Sequence, residues 1–198
     1  MIPQEILLSF QAEIKSFRKD EKIFSENDTA RNYYQVISGA VKMSNFNDDG
    51  KEFIQGIFYK QQSFGEPPLF IDVKYPASAI TLSDSEIIVL PKEQLLVLLQ
   101  QHPKVHLTIT QNLAQRLYYK AIIASEISGQ EPMHRILRFL DYLKNDVHKL
   151  SGNFTFKVPY TRQQIADILG LRVETVIRSI KSLEKKGEVK ILSRKVFR

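Results

Sequence analysis

Glu174, Ile177 and Arg178 are the residues whose types and spacing suggest a definite chemistry. In a helix, positions three and four apart lie on one face. From such a face an arginine can donate two hydrogen bonds to guanine O6 and N7, a glutamate can accept one from cytosine N4, and an aliphatic side chain can contact a thymine methyl group. The spacing therefore predicts a surface that reads DNA bases. The alternative is an ordinary Glu–Arg ion pair on a helix surface.

Two short helices joined by a tight turn, within residues 160–183, are predicted to position these side chains. Thr161 and Gln164 have the spacing of a capping box, which begins a helix. Gly170 tolerates the positive φ at which that helix ends. The second helix is predicted to bury an aliphatic stripe, formed by Val173, Val176, Ile180 and Leu183. A helix-turn-helix places its second helix in the major groove, with N-terminal side chains at base edges.

Residues 161–191 resemble the winged-helix DNA-binding segment of the Crp–Fnr family of bacterial transcription regulators. The shared motifs are T-R-Q-x-I-A, the turn glycine, V-E-T-V-x-R and the L-E-x-x-G that leads into the wing. The resemblance implies that Glu174 and Arg178 read bases. It also implies that Arg162 and Thr175 contact phosphates.

Three positions separate the branches of this family or depart from its pattern. Val173 stands where the Crp branch has an arginine, so the segment resembles the Fnr branch more closely. Arg172 occupies the position at which a serine or threonine normally caps the recognition helix, and Ile177 replaces a small residue. We therefore expect the DNA target to differ in detail from those of other members.

Side chains around the recognition helix are predicted to contact DNA phosphates, which adds affinity without sequence information. Residues 189–191 and 195–197 are predicted to form a two-stranded wing joined near Ser193. The predicted phosphate contacts are Arg162, Arg172, Thr175, Lys181, Lys190, Arg194 and Lys195.

Positive charge is concentrated at one end of the sequence. Residues 131–198 hold 15 Lys and Arg against 7 Asp and Glu, whereas the first 130 residues hold 13 against 15. A basic segment attached to a slightly acidic one suits phosphate binding at one end only, although a solvated basic surface is the alternative. The absence of cysteine excludes disulfides, thiol redox chemistry and cysteine-ligated zinc or iron–sulfur sites.

Short alternating segments with turn residues between them run through residues 22–90, which predicts a sandwich or barrel of jelly-roll type. Residues 47–50, Asn-Asp-Asp-Gly, have the composition of a hairpin turn, and Gly39 marks a tight corner. Residues 1–17 are predicted to form an amphipathic helix rather than a signal peptide. No apolar run is long enough to span a bilayer, so we expect a cytoplasmic location and no membrane partner.

A break in the strand pattern at residues 63–70 resembles the phosphate-binding cassette of cyclic-nucleotide-binding domains. In that cassette a Gly-Glu pair opens a short helix, and an Arg-Ser or Arg-Ala pair follows. The resemblance implies that the helix N-terminus and the arginine hold the cyclic phosphate while the glutamate binds the ribose hydroxyl. Gly65 and Glu66 match the first pair.

The arginine of the cassette is missing from this sequence. Pro76 and Ala77, followed by Ser78, stand at the second pair. An anionic phosphate would lose its main partner there, so we do not expect a cyclic nucleotide to bind. Gly65 and Glu66 are expected to keep a structural role, in a fold whose ligand is changed or absent.

A long amphipathic stretch follows Pro103 and runs to about Ile127. It carries more apolar surface than one small barrel covers, so pairing with a second copy about a twofold axis is predicted. A helix packed only on its own barrel is the alternative. The residues predicted to face the second copy are Ile109, Leu113, Leu117 and Ile123.

The predicted fold class is α+β, in three parts: a jelly-roll sensor domain at 1–103, a dimerisation helix at 104–128 and a winged-helix DNA-binding domain at 129–198. Residues 129–132 break the helical pattern and are predicted to act as a hinge. An effector would shift the population between dimer arrangements that do or do not fit DNA.

No constellation typical of an enzyme is present. The sequence lacks G-x-S-x-G, a P-loop and a dinucleotide fingerprint, and His102 and His106 lack the glutamate of a zinc-protease motif. Haem sensing, which the resemblance implies for some members, would use His106 as its candidate ligand. We expect no metal, no haem and no other cofactor.

The leading hypothesis is a homodimeric transcription regulator that binds double-stranded DNA under the control of an effector other than cyclic AMP. The resemblance also implies RNA polymerase as a partner. The second hypothesis is a small-molecule sensor that acts through protein partners without binding DNA. The concentrated charge and the Glu174–Arg178 pair favour the first hypothesis.

Overall fold

The computed structural model describes residues 2–127 and 131–198. They form two compact units, Met1–Gln115 and Arg116–Arg198, and the division falls inside one long helix. The three-part division at residues 103 and 128 stays a prediction. Residues 128–130, which include part of the predicted hinge, lie outside the described residues.

The first unit contains two four-stranded antiparallel sheets. Its strands are β1 (Glu13–Phe17), β2 (Lys22–Phe24), β3 (Asn32–Ser38), β4 (Ala40–Phe46), β5 (Glu52–Tyr59), β6 (Ser63–Phe64), β7 (Ser78–Thr81) and β8 (Ser85–Pro91). Its helices are α1 (Gln4–Ser9), α2 (Pro67–Ile71) and α3 (Lys92–Gln101), and the long helix α4 (Pro103–Ile127) follows. The sheet orders β1-β8-β3-β6 and β2-β7-β4-β5 confirm the predicted jelly roll.

The sheets enclose a single apolar core because alternate side chains of a strand point to opposite faces. In β4, buried Val41 and Met43 flank half-buried Lys42, whose ammonium lies 2.5 Å from the Glu52 carboxylate on β5. The β4–β5 hairpin turns at residues 47–50, as predicted. There the Asn47 side-chain oxygen accepts a hydrogen bond from the Lys51 backbone N–H at 2.8 Å.

The prediction of one amphipathic helix over residues 1–17 was wrong. Only α1 is helical, and the following segment forms β1, which pairs with β8 in the register Glu13↔Val89 to Phe17↔Ser85. The β1 segment alternates apolar and polar residues only briefly, so its period resembled a continuing helix. Residues 13–17 form a strand because the edge of β8 supplies partners for their backbone hydrogen-bonding groups.

The long helix α4 packs one of its sides on its own jelly roll. Ile109 is 4% exposed in the core of the first unit, and Leu113 packs against that core. The prediction that Ile109 faces a second copy was therefore wrong, whereas for half-buried Leu113 it stays a prediction. Periodicity shows that residues share a helix face, but not which body covers that face. Leu117 is 70% exposed, and the side chain of Ile123 lies outside the described residues.

The second unit combines helices with a small hairpin. Its elements after α4 are α5 (Pro132–Asp141), a π-helical turn (Tyr142–Val147), α6 (Arg162–Leu169), α7 (Val173–Lys185), β9 (Lys190–Leu192) and β10 (Lys195–Phe197). Residues of α5, α6 and α7 share one core with Val189 and Val196 of the wing region. The architecture confirms the predicted winged helix-turn-helix. None of the described helices combines the length and apolar character that a bilayer crossing demands.

Arg198 ties three parts of the second unit together. Its guanidinium donates to the Asp141 carboxylate at 2.5 Å and to the Glu188 carboxylate at 3.0 Å. Its backbone exchanges two hydrogen bonds with Phe156. The hydrogen bond to Asp141 raises the pKa of Arg198, so its charge is permanent. This arrangement ties the residue after β10 to the end of α5, to Glu188 before β9 and to the segment that precedes α6.

Candidate nucleic-acid interface

The helix-turn-helix begins and turns at the residues that the sequence predicts. The Thr161 hydroxyl accepts a hydrogen bond from the Gln164 backbone N–H at 3.1 Å, and the Gln164 side chain accepts one from the Thr161 backbone N–H at 2.8 Å. This reciprocal capping box starts α6. Gly170 adopts φ 64° and ψ 33° at the end of α6, the left-handed conformation that a residue with a Cβ resists.

Helix α7 has one buried side and one exposed side. Val176, Ile180 and Leu183 are buried in the core of the second unit, and Val173 is half-buried. The predicted base-reading residues Glu174, Ile177 and Arg178 are all exposed, as is Lys181. The core therefore fixes the rotation of α7 about its axis and turns these four side chains outward together.

Glu174 and Arg178 do not form an ion pair with each other or with any other side chain in the described part of the chain. The alternative of an ordinary i,i+4 salt bridge is therefore not what the structure contains. A glutamate and an arginine held on one helix face without mutual contact keep their hydrogen-bonding capacity for an external partner.

The N-terminus of α7 lacks a side-chain cap. Arg172 has the extended backbone of a capping residue, with φ −83° and ψ 143°, but its side chain makes no capping hydrogen bond. Arg172 is exposed, and the backbone N–H groups of the first turn are not capped by its side chain. Arg162 and Thr175 are half-buried, and burial lowers the pKa of Arg162. All three lie on or at the ends of the two helices of the motif.

The wing is a β-hairpin with a two-residue turn. Leu192 pairs with Lys195, and the two residues between them, Ser193 and Arg194, both have positive φ, at 46° and 65°. Two positive φ values characterise the turn that matches the twist of a tight hairpin. Lys190, Arg194 and Lys195 are exposed, as their predicted role as phosphate contacts requires.

Arg135 supports the turn of the motif and was not predicted from the sequence. Its Nη2 donates to the backbone carbonyl of Leu169, the last residue of α6. A cation there satisfies an open carbonyl and favours the negative end of the helix dipole. Burial lowers the pKa of Arg135. Nothing in the local pattern signals this contact, because 34 positions separate the two residues.

In the first unit, the structure places the cassette residues Gly65 and Glu66 at the start of α2. Glu66 is 1% exposed, and its carboxylate accepts a hydrogen bond from the Ser63 hydroxyl at 2.6 Å. The two residues after Glu66 are Pro67 and Pro68, and proline has no N–H group. The first turn of this short helix therefore lacks two of the donors with which a helix N-terminus binds an anion.

Aromatic rings fill the interior beside the cassette. The Phe24 and Tyr75 rings stack with centroids 3.8 Å apart, and the Tyr34 and Phe64 rings stack at 5.2 Å. Phe58 extends this aromatic cluster, at 5.7 Å from Phe64. Stacked and edge-on rings at these distances stabilise a core beyond the area that they bury.

The aromatic cluster packs directly on the backbone of the cassette glycine. A Cβ atom at Gly65 would lie 3.2 Å from the Phe24 ring and 3.3 Å from the Tyr75 ring. The Tyr75 hydroxyl donates to the Asn32 carbonyl at 3.2 Å. Burial raises the pKa of Tyr75, so this hydroxyl stays protonated and neutral.

The second pair of the cassette offers no charged group for a phosphate. Pro76 is exposed and Ala77 is fully buried. The Ser78 hydroxyl already accepts a hydrogen bond from the Glu26 backbone N–H at 2.9 Å. The arrangement at Gly65, Glu66 and these three residues therefore does not fit a cyclic phosphate.

Helix α4 carries an exposed stripe along its length. Its members recur at alternating intervals of three and four residues, contain no charge, and are mostly small. We call this stripe the α4 seam; it consists of Leu107, Thr110, Ala114, Leu117, Ala121 and Ala124. Spacing of this kind is that of the contacting positions in a two-stranded coiled coil.

Comparison with known families identifies both units. Residues 14–102 match the family model of the cyclic nucleotide-binding domain, and residues 134–197 match that of the Crp-like helix-turn-helix domain. The two matches correspond to the jelly roll and to the winged helix-turn-helix.

Individual relatives agree with this identification. The chain is 30% identical over 158 residues to the cAMP-activated global transcriptional regulator CRP of Haemophilus influenzae, covering 79% of this chain and 70% of the relative. It is 23% identical over 191 residues to the global nitrogen regulator of Nostoc sp., covering 95% and 86%.

A solved structure spans nearly the whole chain. The c-di-GMP-responsive global regulator CLP of Xanthomonas campestris superposes with a TM-score of 0.76 at 25% identity, covering 98% of this chain and 96% of that one. Relatives with this pair of domains are transcription regulators and not enzymes. The chain belongs to the Crp–Fnr family of DNA-binding transcription regulators.

Proposed function

We propose that this protein binds an inverted DNA repeat as a homodimer and controls transcription there without a cyclic nucleotide. The observation that carries the DNA-binding part is the exposed face of α7, where Glu174, Ile177 and Arg178 lie together while the opposite face is buried. Inserted in the major groove, Arg178 reads guanine, Glu174 reads cytosine and Ile177 contacts a thymine methyl group.

The homodimer part of the proposal rests on the α4 seam. Regulators with a Crp-like helix-turn-helix act as dimers. In this chain the seam is exposed, uncharged and spaced for a coiled coil, whereas Ile109 on the other side of α4 is already buried. A second copy of the chain is the occupant that matches such spacing, because a twofold axis brings identical seams together. Two recognition helices about 34 Å apart would then meet successive major grooves.

Phosphate contacts supply affinity in this proposal. Arg172, Lys181 and Arg194 are exposed around the base-reading face, with Lys190 and Lys195 on the wing; Arg162 and Thr175 are the half-buried members of the predicted set. Contact with RNA polymerase and a cytoplasmic location follow from the proposed role in transcription. Control by an effector of another chemical class also stays a prediction.

Arg178→Ala is expected to weaken binding to the preferred duplex by about 1–3 kcal/mol and to relax base preference at one position of each half-site. The reason is the loss of a bidentate hydrogen bond to guanine. The preferred duplex would be selected from a random pool with the purified protein and no added effector. Affinities for all single-base variants of that duplex would then be measured with both proteins.

Lys51→Ala, which removes an exposed charge from the β4–β5 hairpin, is the control for net charge. An Arg178→Ala protein with unchanged base preference would refute the assigned role. Absence of any binding by the wild-type protein would favour the alternative of a sensor that acts through protein partners.

Cyclic AMP is expected to leave the thermal unfolding temperature unchanged at millimolar concentration. A ligand that binds only the folded state at 1,000 times its Kd stabilises that state by about 4.1 kcal/mol, which shifts the midpoint by several degrees. The aromatic cluster, the two prolines of α2 and the missing arginine leave no cradle for the phosphate. A dose-dependent rise of the midpoint, saturating with cyclic AMP, would overturn this part of the proposal.

A further inference from the structure

The extended segment before α6, residues 156–158, lies beside strand β10 of the wing. Lys157 pairs with Phe197 in an isolated antiparallel bridge, and the Val158 N–H donates to the Val196 carbonyl at 2.9 Å. Nothing in the local sequence signals that this segment lies beside β10. The two-stranded wing is therefore flanked on its β10 side by an extended segment, in the order 156–158, β10, β9.

The register of this sheet assigns every side chain to a face. Residues directly opposite each other share a face, so Lys157, Phe197 and Lys190 form one row across the segment 156–158 and the two strands. Lys195 and Leu192 form a second row on the same face, nearer the turn. The alternate residues Phe156, Val158, Ile191 and Val196 point to the core.

The outer face of the wing is basic and carries no acidic residue. Lys157, Lys190 and Lys195 are exposed, and none of them makes an ion pair with a described side chain. Asp and Glu are absent from the segment 156–158, from β9 and β10, and from the Ser193–Arg194 turn. Like charges placed on neighbouring strands are unfavourable in the free protein. Binding of a polyanion would relieve this repulsion and thereby gain free energy.

We infer that this outer face binds the DNA backbone and that Lys157 is a phosphate contact in addition to the wing residues already named. The inference rests on the proposed function, because it assumes that the wing lies against a duplex. Two strand spacings of roughly 4.8 Å separate Lys157 from Lys190, so flexible lysine side chains can reach separate phosphates. Lysine suits this role because it acts as a point charge without a fixed donor geometry.

The test is the salt dependence of DNA binding by the full-length protein. Lys157→Ala is expected to lower the slope of log affinity against log salt by about 0.9, the value for one released counterion in B-DNA. Affinity for the selected duplex and for a random-sequence duplex should fall by the same factor. Lys157→Arg retains the charge and should keep the wild-type slope.

Lys51→Ala removes an equal charge from the first unit and should leave the slope unchanged. Thermal unfolding of each variant shows whether the wing remains folded, and an alanine at an exposed strand position is expected to preserve it. If the wild-type protein binds DNA and Lys157→Ala shows the same salt slope as the wild type, this inference is overturned and the proposed function is not. A loss restricted to the selected duplex would also overturn it, since a phosphate contact carries no sequence information. Failure of the wild-type protein to bind any duplex would instead refute the proposed function.

Discussion

Leu117→Asp is expected to give a monomeric protein that binds a duplex with two half-sites about 100-fold or more weakly than the wild type. Leu117 is 70% exposed and lies in the middle of the α4 seam. In a twofold dimer the two introduced carboxylates would face each other in an apolar contact, where like charges are strongly unfavourable. Each recognition helix would then bind alone and lose the advantage of linked sites, which amounts to a factor of about 10²–10⁴.

Sedimentation velocity and fluorescence anisotropy measure the two parts of this prediction. Gln115→Asp is the matched control, because residue 115 is exposed on the same helix outside the seam. Ile109→Ala offers a contrast: it should leave the dimer contact intact but destabilise the jelly roll by about 2–5 kcal/mol, since Ile109 is buried in that core. A dimeric Leu117→Asp protein with full affinity would show that α4 does not mediate assembly.

The winged helix-turn-helix could be predicted from the sequence because its signals are local. The capping box joins Thr161 to Gln164, the turn needs only Gly170, and the buried stripe of α7 repeats within 11 residues. Each of these features depends on neighbours along the chain. Pattern and structure therefore agree there on the start and end of α6 and on the exposed face of α7 that carries Glu174 and Arg178.

Contacts between distant segments could not be predicted in this way. The stacking of Phe24 on Tyr75 joins residues 51 positions apart, and that contact fills the interior beside the cassette. The sequence showed that the cassette arginine is missing, but not that rings pack against Gly65. The side of α4 that faces the jelly roll is a similar case, because helical spacing alone does not identify the covering surface.

Gly39→Ala is expected to lower the free energy of unfolding of the jelly roll by about 3 kcal/mol or more. Gly39 joins β3 to β4 with φ +85°, a conformation that costs an alanine roughly 1–3 kcal/mol. A Cβ there would also lie 2.5 Å from the Asp84 carbonyl oxygen and 2.8 Å from the Ser85 Cα. Both are backbone atoms, which cannot rotate away as a side chain can. Overpacking of this kind adds roughly another 1–3 kcal/mol.

Gly50→Ala separates the two causes of the expected loss. Gly50 has a similar φ of +72°, but a Cβ there would meet nothing within 4 Å. Its substitution should therefore cost only the backbone strain. Denaturant unfolding followed by circular dichroism measures both variants, and the difference between them isolates the clash at the β3–β4 corner. Equal losses would mean that the β7–β8 connection moves aside. In that case the corner at Gly39 would not fix how the two sheets pack on each other. The positions of β6, α2 and the cassette would then not depend on this corner.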